Sequence, residues 1–132
     1  MDQHLFAEFR EIKMVPRSLA RSLAARGLEE VLRRIPPAFT LNTGHVSFFY
    51  DKGAYLRARF ELLQLELRRR KIGFNEDSKF DPAGLHRSDP RLNKTYVPTP
   101  QALVLVRERI AERIARRPSW YRYYGVAQQK SR

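Results

Sequence analysis

Residues 51–71 carry the apolar pattern that most constrains the fold. Four large apolar side chains follow one another at spacings of four, three and four, at Leu56, Phe60, Leu63 and Leu67. Since an α-helix has about 3.6 residues per turn, this spacing places all four on one face. Asp51 predicts an N-cap at the start of the segment, and Gly73 predicts a C-cap behind it. The segment therefore predicts a long amphipathic helix whose apolar face needs a partner.

Further helices are predicted on both sides of this segment. Short helices are expected over residues 17–26 and 28–34, separated by Gly27. The last one begins with Thr99 as N-cap and Pro100 in the first turn. Its predicted core face consists of Leu103, Val106, Ile110 and Ile114. Residues 38–50 and 74–98 lack a regular period, and a connection as long as the second is usually functional or mobile.

The opening segment, residues 2–12, divides into two faces when it is drawn as a helix. Its apolar face consists of Leu5, Phe6, Phe9 and Ile12, and its polar face of Gln3, His4, Ala7, Arg10 and Glu11. His4 and Glu11 lie two turns apart on one line, with the small Ala7 between them. Such groups bind or transfer protons, so this face is a candidate floor of a site. An ordinary solvated face is the alternative, and the spacing alone favours it.

The segments together predict an all-α fold, a compact single domain of three main helices with long irregular connections. We expect this domain to cover residues 1–125 and to be followed by a disordered tail at 126–132. A chain of 132 residues with 42% apolar content is long enough for one hydrophobic core.

The charge balance points to a polyanionic partner. Lysine and arginine number 26 against 14 acidic residues, a net charge of +12. Nucleic acid is the first candidate partner, and an anionic membrane surface is the second. The absence of cysteine excludes disulfides and thiolate chemistry. His4, His45 and His86 show no metal-ligand spacing, and no apolar run approaches a membrane span of about 20 residues. The sequence predicts a soluble, intracellular protein.

The C-terminal part concentrates groups that suit nucleic acid. Arg109, Arg113 and Arg117 recur every four residues without a matching row of carboxylates, which favours a polyanion partner over solvation alone. Residues 120–124 then place four aromatic rings around Arg122. Aromatic rings interleaved with arginine suit base stacking and phosphate neutralisation. The alternative is an aromatic plug that docks onto the core.

Three segments carry a resemblance to a known family. They are Asp-Gln-His-Leu at 2–5 with Arg-Glu at 10–11, Gly-His-Val-Ser-Phe-Phe-Tyr-Asp-Lys at 44–52, and Arg-Pro-Ser-Trp-Tyr-Arg-Tyr-Tyr-Gly at 117–125. In order and spacing these motifs resemble the pyrimidine-dimer DNA glycosylase/AP lyases of the phage endonuclease V type. The resemblance covers nearly all of residues 2–125.

The resemblance implies a mainly helical repair enzyme that binds and kinks ultraviolet-damaged double-stranded DNA. Members of the family flip a base opposite the dimer out of the stack, at a cost that damage lowers. Their nucleophile is the α-amine of an N-terminal threonine, which forms a Schiff base with the sugar before β-elimination cuts the strand. An α-amine, with a pKa of about 7.7–8.0, keeps a neutral fraction near pH 7. No metal or cofactor is implied. We expect a monomer in the cytoplasm, associated with the nucleoid in a prokaryote, and no membrane partner.

The resemblance also implies roles for individual residues. Glu11 matches the essential carboxylate, and Arg10 matches the arginine that holds the phosphates of the lesion. His4 is expected to orient Glu11 or shuttle a proton, which makes Glu11 and His4 the predicted catalytic pair. The predicted DNA-binding set is Gln3, Arg10, Arg109, Arg113, Arg117, Trp120, Tyr121, Arg122, Tyr123 and Tyr124.

The start of the sequence departs from the family pattern. The family carries a further segment, with the threonine, before the Asp-Gln-His-Leu motif, whereas this sequence begins at Met1. A helix from residue 2 puts Met1 about 15 Å from Glu11 along the axis, too far for one to assist the other. We expect a longer form that carries the missing segment, because Glu11, His4 and Arg10 remain together. The alternative is a non-catalytic basic protein that binds DNA or DNA damage.

Overall fold

The computed structural model describes residues 1–41 and 43–117, and the backbone of two short strands beyond them. The helices are α1 (Asp2–Ile12), α2 (Met14–Arg26), α3 (Leu28–Arg33), α4 (Gly53–Arg69) and α5 (Pro100–Arg116), with 3₁₀ turns at Ser47–Phe49 and Pro90–Leu92. The strands are β1 (Arg122–Tyr123) and β2 (Val126–Ala127), which pair antiparallel. The predicted all-α class is confirmed. The domain limits stay a prediction, and residues 128–132 of the expected tail lie outside the described part.

The core is built where α1 packs against α4. The four residues of the predicted apolar seam are all buried, which confirms the amphipathic helix (Leu56, Phe60, Leu63 and Leu67). Phe9 of α1 stacks on Phe60 with ring centroids 5.2 Å apart, and Phe74 meets Phe9 edge-on at 5.2 Å. Aromatic pairs in these geometries add attraction to the area they bury. The α1–α4 contact therefore fixes how the opening helix sits.

The residues of the predicted apolar face of α1 are buried or partly buried, except for Phe6. Phe9 and Ile12 are buried and Leu5 is partly buried, whereas Phe6 is 37% exposed. Phe6 lies about 100° around the helix from Leu5, at the edge of the buried face. The guanidinium of Arg10 lies over its ring, 5.9 Å from the centroid. Phe6 therefore supports Arg10 at the surface and does not enter the core.

Both predicted caps of α4 are wrong. The N-cap is Lys52, because the carboxylate of Asp51 accepts a hydrogen bond from Lys52 Nζ at 2.7 Å instead of capping the helix. At the other end, Lys71 takes φ +58. The amide N–H of Lys71 donates to the Arg68 carbonyl and that of Ile72 to the Leu67 carbonyl, each at 3.0 Å. This is a Schellman motif with lysine in the position usually taken by glycine, so Gly73 is not the cap.

The start of α5 is as predicted, but its core face is not. Thr99 Oγ1 accepts a hydrogen bond from the Ala102 amide at 3.0 Å, and Pro100 is the first helical residue. The buried residue of α5 is the small Ala102, whereas Leu103 is 41% exposed. The remaining predicted core residues, Val106, Ile110 and Ile114, are only half-buried. The helix contacts the domain through its first turn and lies less deeply than its periodicity predicts.

The long connection at 74–98 contributes three buried side chains, Phe80, His86 and Leu92. The His86 ring lies against Phe80 with centroids 5.5 Å apart, and its Nδ1 is 3.1 Å from the Leu92 carbonyl oxygen. The connection therefore belongs to the core despite its polar composition. None of the helices in the described part is both long enough and apolar enough to span a bilayer.

Candidate functional site

A groove of about 570 Å³ lies between the polar side of α1 and the first turns of α5. Glu8 and Glu11 of α1 line one wall, and Leu103 and Val106 of α5 line another. Most of the remaining surface is aromatic or aliphatic and comes from residues 39–49, from α4 and from Tyr96. A largely apolar cleft with few polar groups is the usual form of a site for an organic ring system.

The other end of α1 meets the later turns of α5. Burial lowers the pKa of His4, and the positive charges of the Met1 ammonium and of Arg113 lower it further. His4 is therefore neutral near pH 7, and the charge of Arg113 lies within electrostatic range of its ring. Glu11 lines the groove together with Leu103 and Val106, and the charge of Arg113 acts on His4, so α5 runs antiparallel to α1. A basic helix therefore lies beside the face that spacing alone assigns to solvent, while Arg10 and Glu11 on that face stay exposed.

The side chain of Glu11 is exposed at the rim of this groove. Within residues 1–41 and 43–117, its carboxylate forms no hydrogen bond or ion pair. A carboxylate in this state is available to accept a proton or to stabilise a nearby cation. Arg10 beside it is also exposed and has no acidic partner in the same residues, so its guanidinium remains available to phosphate. Gln3 is half-buried one turn before Ala7.

Glu8 and Arg59 form a part of the site that sequence reasoning missed. Arg59 Nε donates to Glu8 Oε2 at 2.5 Å and its Nη2 donates to Oε1 at 2.8 Å, so the pair is bidentate. Both residues line the groove beside Glu11, as does Tyr55. The position of Glu8, three residues before Glu11, is the only local sign in the sequence that Glu8 belongs to the site. Arg59 lies 51 positions after Glu8. A single sequence gives no indication of such a distant pairing.

A second ion pair fixes the start of α1. Arg70 Nη1 lies 3.0 Å from Asp2 Oδ1, and Arg70 Nε donates to Glu66 at 2.9 Å. Burial and the charge of Arg70 lower the pKa of the Met1 α-amine, an effect that the Asp2 carboxylate opposes. Met1 precedes Glu11 by ten residues of continuous helix, which separates them by about 15 Å. The Met1 amine and Glu11 therefore lie at opposite ends of the polar face.

The predicted DNA-binding residues of α5 are accessible. Arg109 is half-buried, and Arg113 and Arg117 are exposed. Arg116 pairs with Glu112 at 2.7 Å, whereas Arg109 and Arg113 have no carboxylate partner in the described residues. The backbone of β1 lies close to α1. Trp120, Tyr121 and Tyr124 lie outside the described residues, as do the side chains of Arg122 and Tyr123.

The Gly44–His45 dipeptide has a structural role. Gly44 takes φ +90, and a Cβ there would lie 2.9 Å from Pro36 Cγ, so both backbone angle and space favour glycine. His45 Nδ1 is 2.8 Å from the Thr40 carbonyl oxygen, and its ring meets Phe39 and Phe49 edge-on. This cluster forms the aromatic wall of the groove opposite α1.

The chain is thus a basic helical protein with an exposed carboxylate, Glu11, beside an apolar groove and with arginines on α1 and α5 that lack an acidic partner in the described residues. A family model described as pyrimidine dimer DNA glycosylase matches residues 1–80. The match covers α1 to α4 with Gln3, His4, Arg10 and Glu11. The chain belongs to the pyrimidine dimer DNA glycosylase family, whose members repair damaged DNA. The predicted family is confirmed, while the third motif, at 117–125, lies outside the matched residues.

Proposed function

We propose that this protein is a DNA glycosylase with AP lyase action at pyrimidine dimers in double-stranded DNA, and that Glu11 is its catalytic carboxylate. The observation that carries the proposal is the position of Glu11. Its carboxylate has no partner in the described residues and is exposed at an apolar groove that the first turns of the arginine-rich helix α5 also line. A site that joins a carboxylate, an apolar cleft and phosphate-binding cations suits chemistry on a nucleotide.

The proposed reaction proceeds through a primary amine. The amine attacks C1′ of the sugar on the 5′ side of the dimer, and the base leaves with the electrons of the C1′–N bond. The nitrogen loses a proton, the C1′–O4′ bond breaks as O4′ takes up a proton, and the nitrogen lone pair forms the C1′=N bond of an iminium ion. A base then removes a proton from C2′, and the C3′–O bond breaks with release of the phosphate. The iminium accepts the electrons, so the reaction needs no metal.

Glu11 and His4 have different roles in this proposal. The negative charge of Glu11 stabilises the iminium cation and accepts the C2′ proton. His4, whose pKa is lowered mainly by burial, lies about 10 Å from Glu11 along α1 and is proposed to act away from C1′ and C2′, as a positioning or proton-relay group. The two residues are two turns apart on α1, so each serves a different end of the reacting nucleotide.

The cations hold the DNA in this arrangement. Arg10, Arg109 and Arg113 are proposed to bind phosphates on either side of the groove, because their guanidinium groups lack acidic partners in the described part of the chain. Arg117 and the segment at 120–124 are proposed to extend this surface through stacking on bases. Gln3 is proposed to hydrogen-bond the damaged strand near His4.

The amine itself is left unassigned among the amino groups of the protein. The Met1 nitrogen lies about 15 Å from Glu11 along α1, beyond the reach of one reacting centre. A partner amine must therefore approach the groove from outside α1. Covalent trapping of the amine on DNA with borohydride identifies it directly.

The substitution Glu11→Gln tests the proposal. Cutting of a duplex with one pyrimidine dimer is expected to fall by about 10²-fold or more, because the amide neither accepts a proton nor balances a cation. The dissociation constant for the same duplex is expected to stay unchanged. Glu61→Gln is the matched control, since Glu61 is an exposed carboxylate of α4 outside the groove. Equal cutting by both variants would contradict the proposal, and a protein that only binds DNA would show no cutting in any form.

A further inference from the structure

The ion pair between Glu8 and Arg59 occupies the wall of the groove next to Glu11. Both hydrogen bonds use one edge of the guanidinium, Nε and Nη2, and both oxygens of the carboxylate. Hydrogen bonding of Arg59 to the Glu8 carboxylate is the largest cause that raises the pKa of Arg59. This geometry is the strongest that arginine and a carboxylate adopt, and it fixes the direction of the guanidinium.

Glu11 is the neighbouring carboxylate on the same side of α1. Residues three apart on a helix have Cβ atoms about 5–6 Å apart, so Arg59 held at Glu8 is one helical turn from Glu11. Arg59 is also the sole lysine or arginine among the groove-lining residues of the described chain. Two carboxylates thus compete for one cation, and in the structure Glu8 holds it.

We propose that Glu8 is a positioning residue that keeps Arg59 off Glu11, an inference that rests on the catalytic role proposed for Glu11. Without Glu8, the guanidinium turns towards Glu11 and forms the ion pair that is now absent. Glu11 is then a weaker base, its oxygens are occupied, and a fixed positive charge lies where the iminium cation forms. The pair at Glu8 and Arg59 therefore leaves Glu11 as the free carboxylate of the groove.

The other polar group on this wall agrees with this arrangement. Burial is the main cause that raises the pKa of Tyr55, so the phenol is uncharged near neutral pH. The charges of Glu8 and Arg59 balance each other. Of the three acidic or basic residues that α1 and α4 contribute to the groove, Glu11 alone contributes an unbalanced charge.

A simple tether between α1 and α4 is the competing explanation of this ion pair. The Glu8 and Arg59 side chains are 42% and 40% exposed, and pairs this open to solvent contribute little to stability. The contact of Asp2 with Arg70 joins the same two helices with both side chains nearly buried, at 13% and 12% exposure. The helices also share the stacked rings of Phe9 and Phe60. The contacts of Asp2 with Arg70 and of Phe9 with Phe60 therefore join α1 to α4 without Glu8.

Three variants separate the two explanations: Glu8→Gln, Arg59→Met and the double variant with both changes. The crystal structure of Glu8→Gln is expected to show Arg59 in an ion pair with Glu11. In single-turnover cutting with saturating dimer-containing duplex, Glu8→Gln is expected to be about tenfold slower or worse. The double variant, which has no cation to misplace, is expected to recover to within about threefold of the original rate. A tether predicts no such recovery, since the double variant also lacks the contact.

Glu30→Gln is the control for loss of an ion-paired, partly exposed carboxylate. It removes the charge that pairs with Arg33 and Arg34 at the end of α3, outside the groove lining, and is expected to leave cutting unchanged. The inference is overturned if Arg59 stays away from Glu11 in Glu8→Gln, or if the double variant is as slow as the single one. Cutting by Glu11→Gln at the original rate would instead remove the proposed function itself, so the two failures are distinguishable.

Discussion

Gly53, the first residue of α4, is packed against the side chain of His86. A Cβ atom built on Gly53 would lie 2.4 Å from His86 Cβ and 2.9 Å from Asn93 Oδ1. Neither neighbour is the end of a long flexible chain, and His86 is fully buried. The connection at 74–98 can therefore pack this closely against α4 only because residue 53 has no side chain.

The first prediction concerns this contact. Gly53→Ala is expected to lower the free energy of unfolding by about 1–3 kcal/mol, because the buried imidazole must move. Gly73→Ala is the matched control, since a Cβ there meets no atom within 4 Å. Its φ is not positive, so a change below about 1 kcal/mol is expected. Urea unfolding followed by circular dichroism measures both, and equal stability of the two variants would contradict the packing described here.

The second prediction is a loss of stability on mild acidification. Burial lowers the pKa of His86, and burial with nearby positive charge lowers that of His4, whereas an unfolded chain has a histidine pKa of about 6.5. The unfolded state thus binds more protons below this pH, and the stability is lost as the pH falls through it. The carboxylates of Glu30, Glu76 and Asp89, whose pKa values are lowered by arginine, act in a more acidic range.

Unfolding by urea at pH 7.5 and at pH 5.5 measures this effect. The free energy of unfolding is expected to be smaller at pH 5.5. Proton NMR titration of the histidine rings checks the cause, with His86 expected to titrate below pH 6.5 in the folded protein. Greater stability at pH 5.5 would contradict the assignment of His86 as a buried neutral ring.

The third prediction concerns the arginine row of α5. Arg113→Gln and Arg109→Gln are each expected to weaken binding to duplex DNA and to reduce the slope of log K against log salt by about one. Arg33→Gln removes the same charge from a residue that Glu30 already pairs, on α3, and serves as the control. Fluorescence anisotropy across a salt series measures the slopes. An unchanged slope for both α5 variants would place the DNA elsewhere.

Local sequence patterns predicted the positions of the helices more accurately than the contacts that the helices make. The seam from Leu56 to Leu67 identified α4 because a buried helix face repeats within one stretch of chain. The two predicted caps of α4 are wrong. Asp51 accepts a hydrogen bond from Lys52, and Lys71 takes the positive φ that glycine usually provides. Leu103 was assigned to the core from periodicity, which does not reveal that α5 rests on Ala102.

The sequence predicted only those parts of the site that lie within one stretch of chain. His4, Arg10 and Glu11 lie on one short helix, so their shared face was visible, and the family motifs gave them roles. The antiparallel approach of α5 to that face was not visible, because His4 and Arg113 are brought together only by the fold. The pairing of Glu8 with Arg59 has the same origin.

Borohydride trapping on ultraviolet-irradiated duplex DNA tests the central claim most directly. The 132-residue chain is incubated with dimer-containing duplex and sodium borohydride, and the adduct is mapped by mass spectrometry. We expect a covalent product at one primary amine, formed by the original protein and lost or greatly reduced in Glu11→Gln. Duplex DNA bound with unchanged affinity but without any trapped product would contradict an amine mechanism and leave a protein that only binds damaged DNA.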